Sequence, residues 1–292
     1  MIVMRTADDQ WDITSSVGAT ALAVAAGRAL ETRRADRLVD DPYAQRFVDA
    51  AGTLSAVPRD PGDAADPWVV QAGYQGVRSR FFDEALTGAG TTQVVLLAAG
   101  LDARALRLPW PAGTTVFEID QQKVLDFKDG VVAEAGITPT ARRVTVPVDL
   151  RHDWPAALTA AGFAPDRPTA WLAEGLLPYL PADAEQLLFE RVHALSVPGS
   201  RIAVEHFGDQ VERIADDPSF REAAQEMLHT TDVRELFFAE PRAESCDDWL
   251  RRHGWTVTAR PVREVAAGYG RPLHDTVTDT LGSATLLWAD RP

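Results

Sequence analysis

The stretch from Val94 to Ala103 reads Val-Val-Leu-Leu-Ala-Ala-Gly-Leu-Asp-Ala. Its apolar start predicts a buried strand, its small residues predict a tight turn, and the residues after them predict a short helix. A second apolar run, Val116-Phe117-Glu118-Ile119-Asp120, predicts the next strand. Together these segments predict a strand–turn–helix–strand unit of the kind that builds parallel sheets.

The turn of this unit has the spacing of a dinucleotide-binding loop. Ala98, Gly100 and Ala103 give the pattern A-x-G-x-x-A, with alanine in the first glycine place. Asp120 ends the next strand, where a carboxylate can accept hydrogen bonds from both hydroxyls of a ribose. The alternatives are close helix–strand packing for the loop and a helix N-cap for Asp120. The pattern predicts a nucleoside site, and NAD and S-adenosylmethionine share these two features.

From residue 93 onward, predicted strands and helices alternate along the chain. The predicted strands lie at 93–98, 114–119, 143–148, 169–174 and 200–206, and the predicted helices at 102–107, 121–135, 154–161 and 182–195. The predicted strands are short apolar runs that are not interrupted by polar alternation, as expected for strands that are covered on both faces. The sequence therefore predicts an α/β fold with helices on both faces of a parallel sheet.

Further elements are predicted on both sides of this region. Helices are predicted at 19–34, from Pro42 and at 68–86, with Ser15 or Ser16 as a cap for the first of them and a Gly- and Pro-rich loop at 52–67. Residues 209–240 predict a helical pair inserted over the carboxyl ends of the strands. After a helix at 247–253, residues 255–260 and 283–288 predict two strands that pair antiparallel at the sheet edge, with a loop between them.

We therefore expect a single domain with four parts. These are a helical cap at 1–90, a cofactor-binding core at 91–208, a lid insertion at 209–245 and C-terminal strands at 246–292 that complete the sheet.

The composition restricts the partners. The sequence holds 29 lysines and arginines against 43 aspartates and glutamates, a formal net charge of −14 at pH 7. This argues against a nucleic-acid partner, because phosphate backbones are bound by clustered basic residues. The single cysteine, Cys246, excludes a disulfide within the chain and suits a reducing compartment. Without a secretory signal or an apolar run of about 20 residues, we expect a cytoplasmic protein that makes no membrane contact.

Acidic residues after the third and fourth strands distinguish the two nucleosides. Asp149 can accept from the exocyclic amine of adenine, with Leu150 as an apolar surface for the ring, although Asp149 could simply end a strand. Glu174 can accept from the α-ammonium of a methionine group, although it could be a surface loop acid. A pocket with three carboxylates would repel a pyrophosphate and attract S-adenosylmethionine, which carries a sulfonium and an ammonium and no phosphate.

A methionine carboxylate needs a cation, and two arginines precede the first strand. Arg78 and Arg80 lie on the helix that leads into it, and a guanidinium can bind a carboxylate through two hydrogen bonds. The alternative is that both are solvated helix residues.

Taken together, the motifs of the chain match those of a known family. The chain resembles bacterial S-adenosylmethionine-dependent methyltransferases that are similar to leucine carboxyl methyltransferases and related polyketide O-methyltransferases. The matching segments are spread in order over most of the chain; they lie at 16–21, 41–44, 78–83, 97–104, 118–120, 148–151 and 173–180.

The resemblance implies a class I methyltransferase fold, a Rossmann-like seven-stranded sheet whose last strand runs antiparallel, with an N-terminal helical cap. It implies that Arg78 binds the methionine carboxylate, that Gly100 lines the methionine and that Glu174 binds its amino group. It also implies that Asp120 binds the ribose and that Asp149 and Leu150 bind the adenine. Two departures are Ala98 in place of the commoner glycine and the lack of a match for an N-terminal lysine, so the acceptor cannot be carried over.

The resulting prediction is methyl transfer from S-adenosylmethionine to an oxygen of a small molecule. A carboxylate acceptor would need no base, whereas a hydroxyl acceptor would benefit from one. His206, after the fifth strand, is the candidate base, with His152 as a weaker one; either could be without a role. No histidine spacing indicates a metal site. Aromatic and apolar residues hint at an apolar acceptor: Trp11, Trp68, Phe220, Met227, Phe237 and Phe238.

Two other functions stay open. An NAD(P)-dependent oxidoreductase would use the loop and Asp120 but leaves Asp149 and Glu174 unexplained. A non-catalytic module that binds S-adenosylmethionine would use every one of these residues. The sequence does not indicate the oligomeric state or the methyl acceptor.

Overall fold

The computed structural model describes residues 12–15, 17–54, 57–58, 60, 62, 66–208, 211–218, 221–222, 224–225, 236–238, 241–282 and 284–292. Four residues that the sequence suggests for a helix cap or an acceptor pocket lie outside them: Trp11, Ser16, Phe220 and Met227. Much of the segment 209–245 also lies outside. The four-part domain organisation therefore remains a prediction.

Seven strands form one sheet. In chain order they are β1 (Gln93–Leu97), β2 (Thr115–Asp120), β3 (Arg142–Pro147), β4 (Ala170–Ala173), β5 (Arg201–His206), β6 (Thr256–Pro261) and β7 (Thr285–Asp290). Their order across the sheet is β3-β2-β1-β4-β5-β7-β6. The pairs among β1 to β5 are parallel, and β7 is antiparallel to both β5 and β6. The predicted mostly parallel sheet is confirmed, including the antiparallel pair at its edge.

Helices connect and flank the strands. They are α1 (Val17–Arg33), α2 (Ala44–Ala51), α3 (Pro67–Thr87), α4 (Arg104–Arg107), α5 (Gln122–Glu134), α6 (Trp154–Ala160), α7 (Ala182–Ala194), α8 (Val211–Asp216), α9 (Cys246–Arg252), α10 (Val262–Gly268) and α11 (Asp275–Thr280). A 3₁₀ turn, Leu177–Tyr179, follows β4. Within the described ranges, no helix combines the length and the apolar character that crossing a membrane requires.

Each face of the sheet has its own apolar core, because alternate strand residues point to opposite faces. On one face, Val94 and Leu96 of β1 pack with residues of α3, α10 and α11. On the other face, Val95 and Leu97 pack with residues of α6, α7 and α9. The central strands β1, β2, β4 and β5 are therefore buried on both faces, which explains their mostly apolar sequences, whereas the edge strands β3 and β6 are only partly buried.

The residues between β6 and β7 differ from the prediction, which made them a loop. They form α10 and α11 instead. Val262, Val265 and Ala266 of α10 are buried in the sheet core, and the His274 Nδ1 atom accepts from the Thr276 N–H at the start of α11. Both helices have seven residues or fewer, so tertiary packing rather than a clear helical period stabilises them.

Helix α1 packs closely against α3, which in turn contacts the strands β4, β5 and β7. Gly76 of α3 faces the buried Glu31 side chain of α1, where a Cβ atom would lie 2.5 Å from the Glu31 Cδ. Glu31 cannot move aside easily, because Arg271 Nη1 lies 2.9 Å from its Oε2 and the Leu38 N–H donates to its Oε1 at 2.6 Å. The absence of a side chain at residue 76 thus permits this contact.

Gly76→Ala is expected to lower the free energy of unfolding by about 1–3 kcal/mol, because the new methyl group overpacks a fixed contact. Gly73 lies on the same helix, and a Cβ there would meet nothing within 4 Å. Gly73→Ala is therefore the matched control and should raise stability by about 0.5–1 kcal/mol through helix propensity. Urea denaturation of both variants measures this difference, and equal effects would contradict the packing account.

Candidate active site

A cavity of about 580 Å³ opens at the carboxyl ends of the parallel strands. The residues that follow β1 to β4 line it together with the end of β5 and residues of α1 and α3. Strand order reverses between β1 and β4, and open α/β sheets bind ligands at such a point. The cavity volume lies within the range of small-molecule sites.

The loop after β1 forms one wall of the cavity. Ala98 has a φ of 56°, and in the described part of the chain it is the one non-glycine residue with positive φ. This conformation suits glycine better than alanine, which explains why glycine is the commoner residue at this place in the pattern. Gly100 also has a positive φ, 47°, and a Cβ there would lie 3.2 Å from the Ala21 Cβ of the cap. The absence of a side chain at Gly100 thus allows α1 to lie close to the loop backbone.

Asp120 lies at the end of β2 with both carboxylate oxygens fixed by backbone. Its Oδ2 accepts from the Gly100 N–H at 2.7 Å, and its Oδ1 accepts from the Gln121 N–H at 2.7 Å. Burial raises the pKa of Asp120 to about 6, and these two hydrogen bonds oppose only part of that effect. Each oxygen has a further lone pair for a ligand hydroxyl. The structure thus brings Asp120 and Gly100 into direct contact in the cavity wall.

Asp149 lies beyond β3, and Leu150 beside it contributes a half-buried apolar side chain to the cavity. The Arg151 N–H and Nε donate to Asp149 Oδ1 at 2.8 and 2.9 Å, and Gln121 Nε2 donates to its Oδ2 at 3.1 Å. Burial raises the pKa of Asp149, but the hydrogen bonds from Arg151 outweigh burial and leave that pKa below its usual value. A hydrogen-bond donor of a ligand at Asp149 would therefore share an ionised carboxylate with Arg151.

Arg78 and Glu174 line the cavity and contact each other. Arg78 Nε lies 3.0 Å from Glu174 Oε1 and 3.1 Å from Glu205 Oε2. These are ion-pair distances, but the Nε–H group is not aligned for a hydrogen bond with either oxygen. Glu174 Oε2 also accepts from Arg104 Nη1 at 2.6 Å. Burial alone would raise the pKa of Glu174, but Arg104 and Arg78 hold it below its usual value. The residues predicted for the two ends of an amino acid therefore form one buried ionic network.

Two residues of this network, Tyr74 and Glu205, are not predicted as site residues from the sequence. The Tyr74 hydroxyl donates a short hydrogen bond to Glu205 Oε1, and the Gly175 N–H donates to Glu205 Oε2 at 2.8 Å. Burial raises the pKa of Glu205, and it raises the pKa of Tyr74 well above its usual value. Tyr74 stands one helical turn before Arg78, a spacing that places both on one face of α3.

His206 does not line the cavity. Strand alternation turns it away from Glu205, and its Nε2 lies 3.9 Å from Asp247 Oδ1 near Cys246. Burial lowers the pKa of His206. His152 also lies outside the cavity lining. The structure therefore gives neither histidine the position that a base for a bound acceptor requires.

Apolar side chains form a further part of the cavity wall. They come from α3, α8, α11 and the residues after β4 and β5, and include Val70, Leu176, Phe207, Ile214, Phe237, Val277 and Leu281. Among the aromatic residues suggested for an acceptor pocket, Phe237 lines this region, whereas Trp68 is buried in the apolar cluster that also contains Leu22, Phe47 and Val124.

The charged groups of the cavity wall fit S-adenosylmethionine better than a dinucleotide. Among the described residues, six carboxylates line the cavity, those of Asp102, Asp120, Asp149, Glu174, Glu205 and Glu222. They suit a ligand with cationic sulfur and ammonium groups and a ribose, and they would repel a pyrophosphate. The chemistry of the cavity thus agrees with the cofactor that the sequence suggests.

Comparison with known proteins gives the same assignment. The family model of leucine carboxyl methyltransferase matches residues 21–193. A relative from Rhodococcus jostii, by name an S-adenosyl-L-methionine-dependent methyltransferase, is 52% identical over 281 residues, which covers 93% of this chain and 94% of the relative. A relative of the same name from Mycobacterium avium is 46% identical over 319 residues and covers both chains completely.

Solved structures agree on the fold. A DUF574 family protein from Streptomyces avermitilis has a TM-score of 0.52 at 15% identity, covering 92% of this chain and 97% of that one. A crystal structure titled as a methyltransferase from Thermobifida fusca has a TM-score of 0.51 at 16% identity, covering 92% and 94%. With the sequence match over more than half of its length, the chain belongs to the leucine carboxyl methyltransferase family of S-adenosylmethionine-dependent methyltransferases.

Proposed function

We propose that the chain transfers a methyl group from S-adenosylmethionine to an oxygen atom, a carboxylate or a hydroxyl, of a small apolar molecule. One observation carries the proposal. Asp149, Asp120, Gly100 and Glu174 lie at the carboxyl ends of β3, β2, β1 and β4, so they succeed one another in the order of the strands across the sheet. Adenine, ribose and methionine follow in the same order along S-adenosylmethionine.

Each group of this ligand would meet a residue of matching chemistry. Asp149 and Leu150 would bind the adenine, and Asp120 would accept from the ribose hydroxyls. The turn formed by Ala98 and Gly100 would lie along the methionine. Glu174 would accept from the ammonium group, and the Arg78 guanidinium would bind the carboxylate while it stays paired with Glu174.

When bound, S-adenosylmethionine supplies a methyl group on a positively charged sulfur. The contribution of the chain is to hold an acceptor oxygen in line with that methyl group and to exclude water, since such a displacement depends chiefly on positioning. The apolar wall formed by residues such as Phe207, Ile214 and Val277 supports both roles, and it supports an apolar acceptor.

Calorimetric titration tests the cofactor assignment. S-adenosylmethionine and its demethylated product, S-adenosylhomocysteine, should bind, whereas NAD should not compete with them. NAD binding without S-adenosylmethionine binding would favour an oxidoreductase and contradict the proposal. Tight cofactor binding without transfer of a labelled methyl group to any acceptor would favour a non-catalytic module instead.

A further inference from the structure

Three arginines line the cavity among the described residues, and each lies against a carboxylate. Arg28 Nε is 2.9 Å from Asp41 Oδ2, and Arg151 Nη2 is 2.7 Å from Asp149 Oδ2. Arg78 lies between Glu174 and Glu205. The methionine carboxylate of the cofactor already requires one of these cations. A second carboxylate, from an acceptor, would thus enter an acidic cavity without a counter-ion, at a considerable desolvation cost.

A neutral hydroxyl has no such cost, and the cavity wall holds a pair of groups that can take its proton. Tyr74 and Glu205 both line the cavity, although their side chains are only 2% and 1% exposed. The Tyr74 hydroxyl donates to Glu205 Oε1, so its own oxygen keeps lone pairs for a ligand donor. The Gly175 N–H and Arg78 fix the other carboxylate oxygen.

The position of the pair also fits an acceptor. Glu205 is the penultimate residue of β5, which pairs with β4. Glu174 follows β4 and would hold the methionine ammonium group. Phe207 and Ile214, which belong to the apolar region of the cavity, follow Glu205 along the chain. Tyr74 belongs to the same apolar cluster as Phe207, Ile214 and Val277. Glu205 contacts Arg78, which in turn contacts Glu174. The pair therefore adjoins both the apolar region and the residues proposed for the methionine end of the cofactor.

We propose that the acceptor is a hydroxyl group on an apolar molecule and that Tyr74 passes its proton to Glu205. The inference rests on the function proposed above and narrows its acceptor from two classes to one. Tyr74 would touch the acceptor and is the catalytic residue, whereas Glu205 acts through Tyr74.

The step balances without a further reactant. The acceptor O–H bond breaks, and its proton binds the Tyr74 oxygen as the original Tyr74 proton moves to Glu205 Oε1. The electron pair left on the acceptor oxygen forms the new O–CH₃ bond, and the electrons of the broken S–CH₃ bond remain on sulfur as a neutral thioether. Glu205 later loses its proton to water, which restores the starting state.

The electrostatic surroundings of Glu205 support this role. Tyr74 and Arg78 of α3 face it from one side, and Glu174, after β4, faces it from the other. Burial and the neighbouring Glu174 favour the protonated form, and Arg78 and the Tyr74 hydrogen bond oppose them, with a raised pKa as the result. A carboxylate of raised pKa is the better proton acceptor.

Binding to the protein saturated with S-adenosylhomocysteine tests the acceptor class without any variant. The probes are matched pairs: phenol against benzoate, naphthol against naphthoate, and octanol against octanoate. At least one alcohol should bind about tenfold or more tightly than its matched acid at neutral pH. Equal or tighter binding of the acids, or binding of neither class, overturns the acceptor assignment. Failure of S-adenosylhomocysteine itself to bind overturns the proposed function instead.

Methyl transfer to the bound alcohol tests the relay. Tyr74→Phe should lower kcat by about 10²-fold and leave the S-adenosylhomocysteine Kd within about threefold. Glu205→Gln should lower kcat similarly and abolish the fall in rate at acid pH that protonation of Glu205 causes in the wild type. Tyr269→Phe is the matched control, because Tyr269 makes the same type of bond, to Glu84 at 2.7 Å, away from the cavity. Wild-type kcat in Tyr74→Phe, or an unchanged pH profile in Glu205→Gln, overturns the relay.

Discussion

Asp120→Asn is expected to weaken S-adenosylmethionine binding by about 30- to 100-fold. The ionised carboxylate would accept both ribose hydroxyls, and hydrogen bonds to a charged group contribute about 1.5–3 kcal/mol each. The amide offers one acceptor oxygen in place of two, and its NH₂ group would face a backbone N–H of Gly100 or Gln121. Calorimetric titration of variant and wild type measures the loss.

The variant should keep its fold. Because burial raises the pKa of Asp120, its ionised carboxylate is less stable in the folded protein than in the unfolded chain, so removal of the charge at neutral pH does not itself cost stability. Asp126→Asn, on the exposed side of α5, makes the same change in net charge and is the control. Unchanged affinity in Asp120→Asn, or an equal loss in Asp126→Asn, would contradict the ribose assignment.

The same group should make cofactor binding depend on pH. With a pKa of about 6 in the free protein, Asp120 gains a proton as the pH falls through 6 and loses acceptor capacity. Wild-type affinity is therefore expected to fall below pH 6, and the affinity of Asp120→Asn should be nearly flat there.

Glu174→Gln is expected to have the largest effect on stability, a loss of about 2–4 kcal/mol. Glu174 lies between the buried guanidinium groups of Arg78 and Arg104, and its neutralisation leaves two buried cations with less compensation. Its carboxylate is ionised in the folded state, because those arginines hold its pKa below the usual value. Urea denaturation at neutral pH measures the loss, and cofactor affinity should fall as well.

Glu84→Gln is the comparison for Glu174→Gln. Glu84 pairs with Arg80 one turn away on α3, and both side chains are about half exposed. Such surface pairs contribute little, so we expect a change of no more than about 0.5 kcal/mol. Similar losses in the free energy of unfolding of the two variants would show that the network around Glu174 stabilises the fold no more than a surface ion pair does.

The fold follows from the sequence because its decisive signals are local. The apolar run at residues 94–97, the small residues at 98–103 and the acid at Asp120 all lie within one strand–helix–strand unit, whose geometry is nearly fixed. The helices α10 and α11 follow less directly. They are short, the glycines and the proline around them indicate a loop, and it is burial of residues such as Val262 that makes them helical.

The site follows only in part, because charge pairing depends on distant segments. The spacing that favours Arg78 as a carboxylate ligand does not reveal that Glu174 and Glu205 will lie against it. The choice between Glu205 and His206 depends on which face of β5 meets the cavity, and two adjacent polar residues at a strand end do not settle that. Tyr74 acquires a role only through its contact with Glu205.

A crystal structure of the complex with S-adenosylhomocysteine tests the central claim most directly. We expect the ribose hydroxyls within hydrogen-bonding distance of Asp120, the adenine beside Asp149 and Leu150, and the amino group of the ligand at Glu174. A ligand bound elsewhere, or one whose ribose makes no contact with Asp120, would contradict the account.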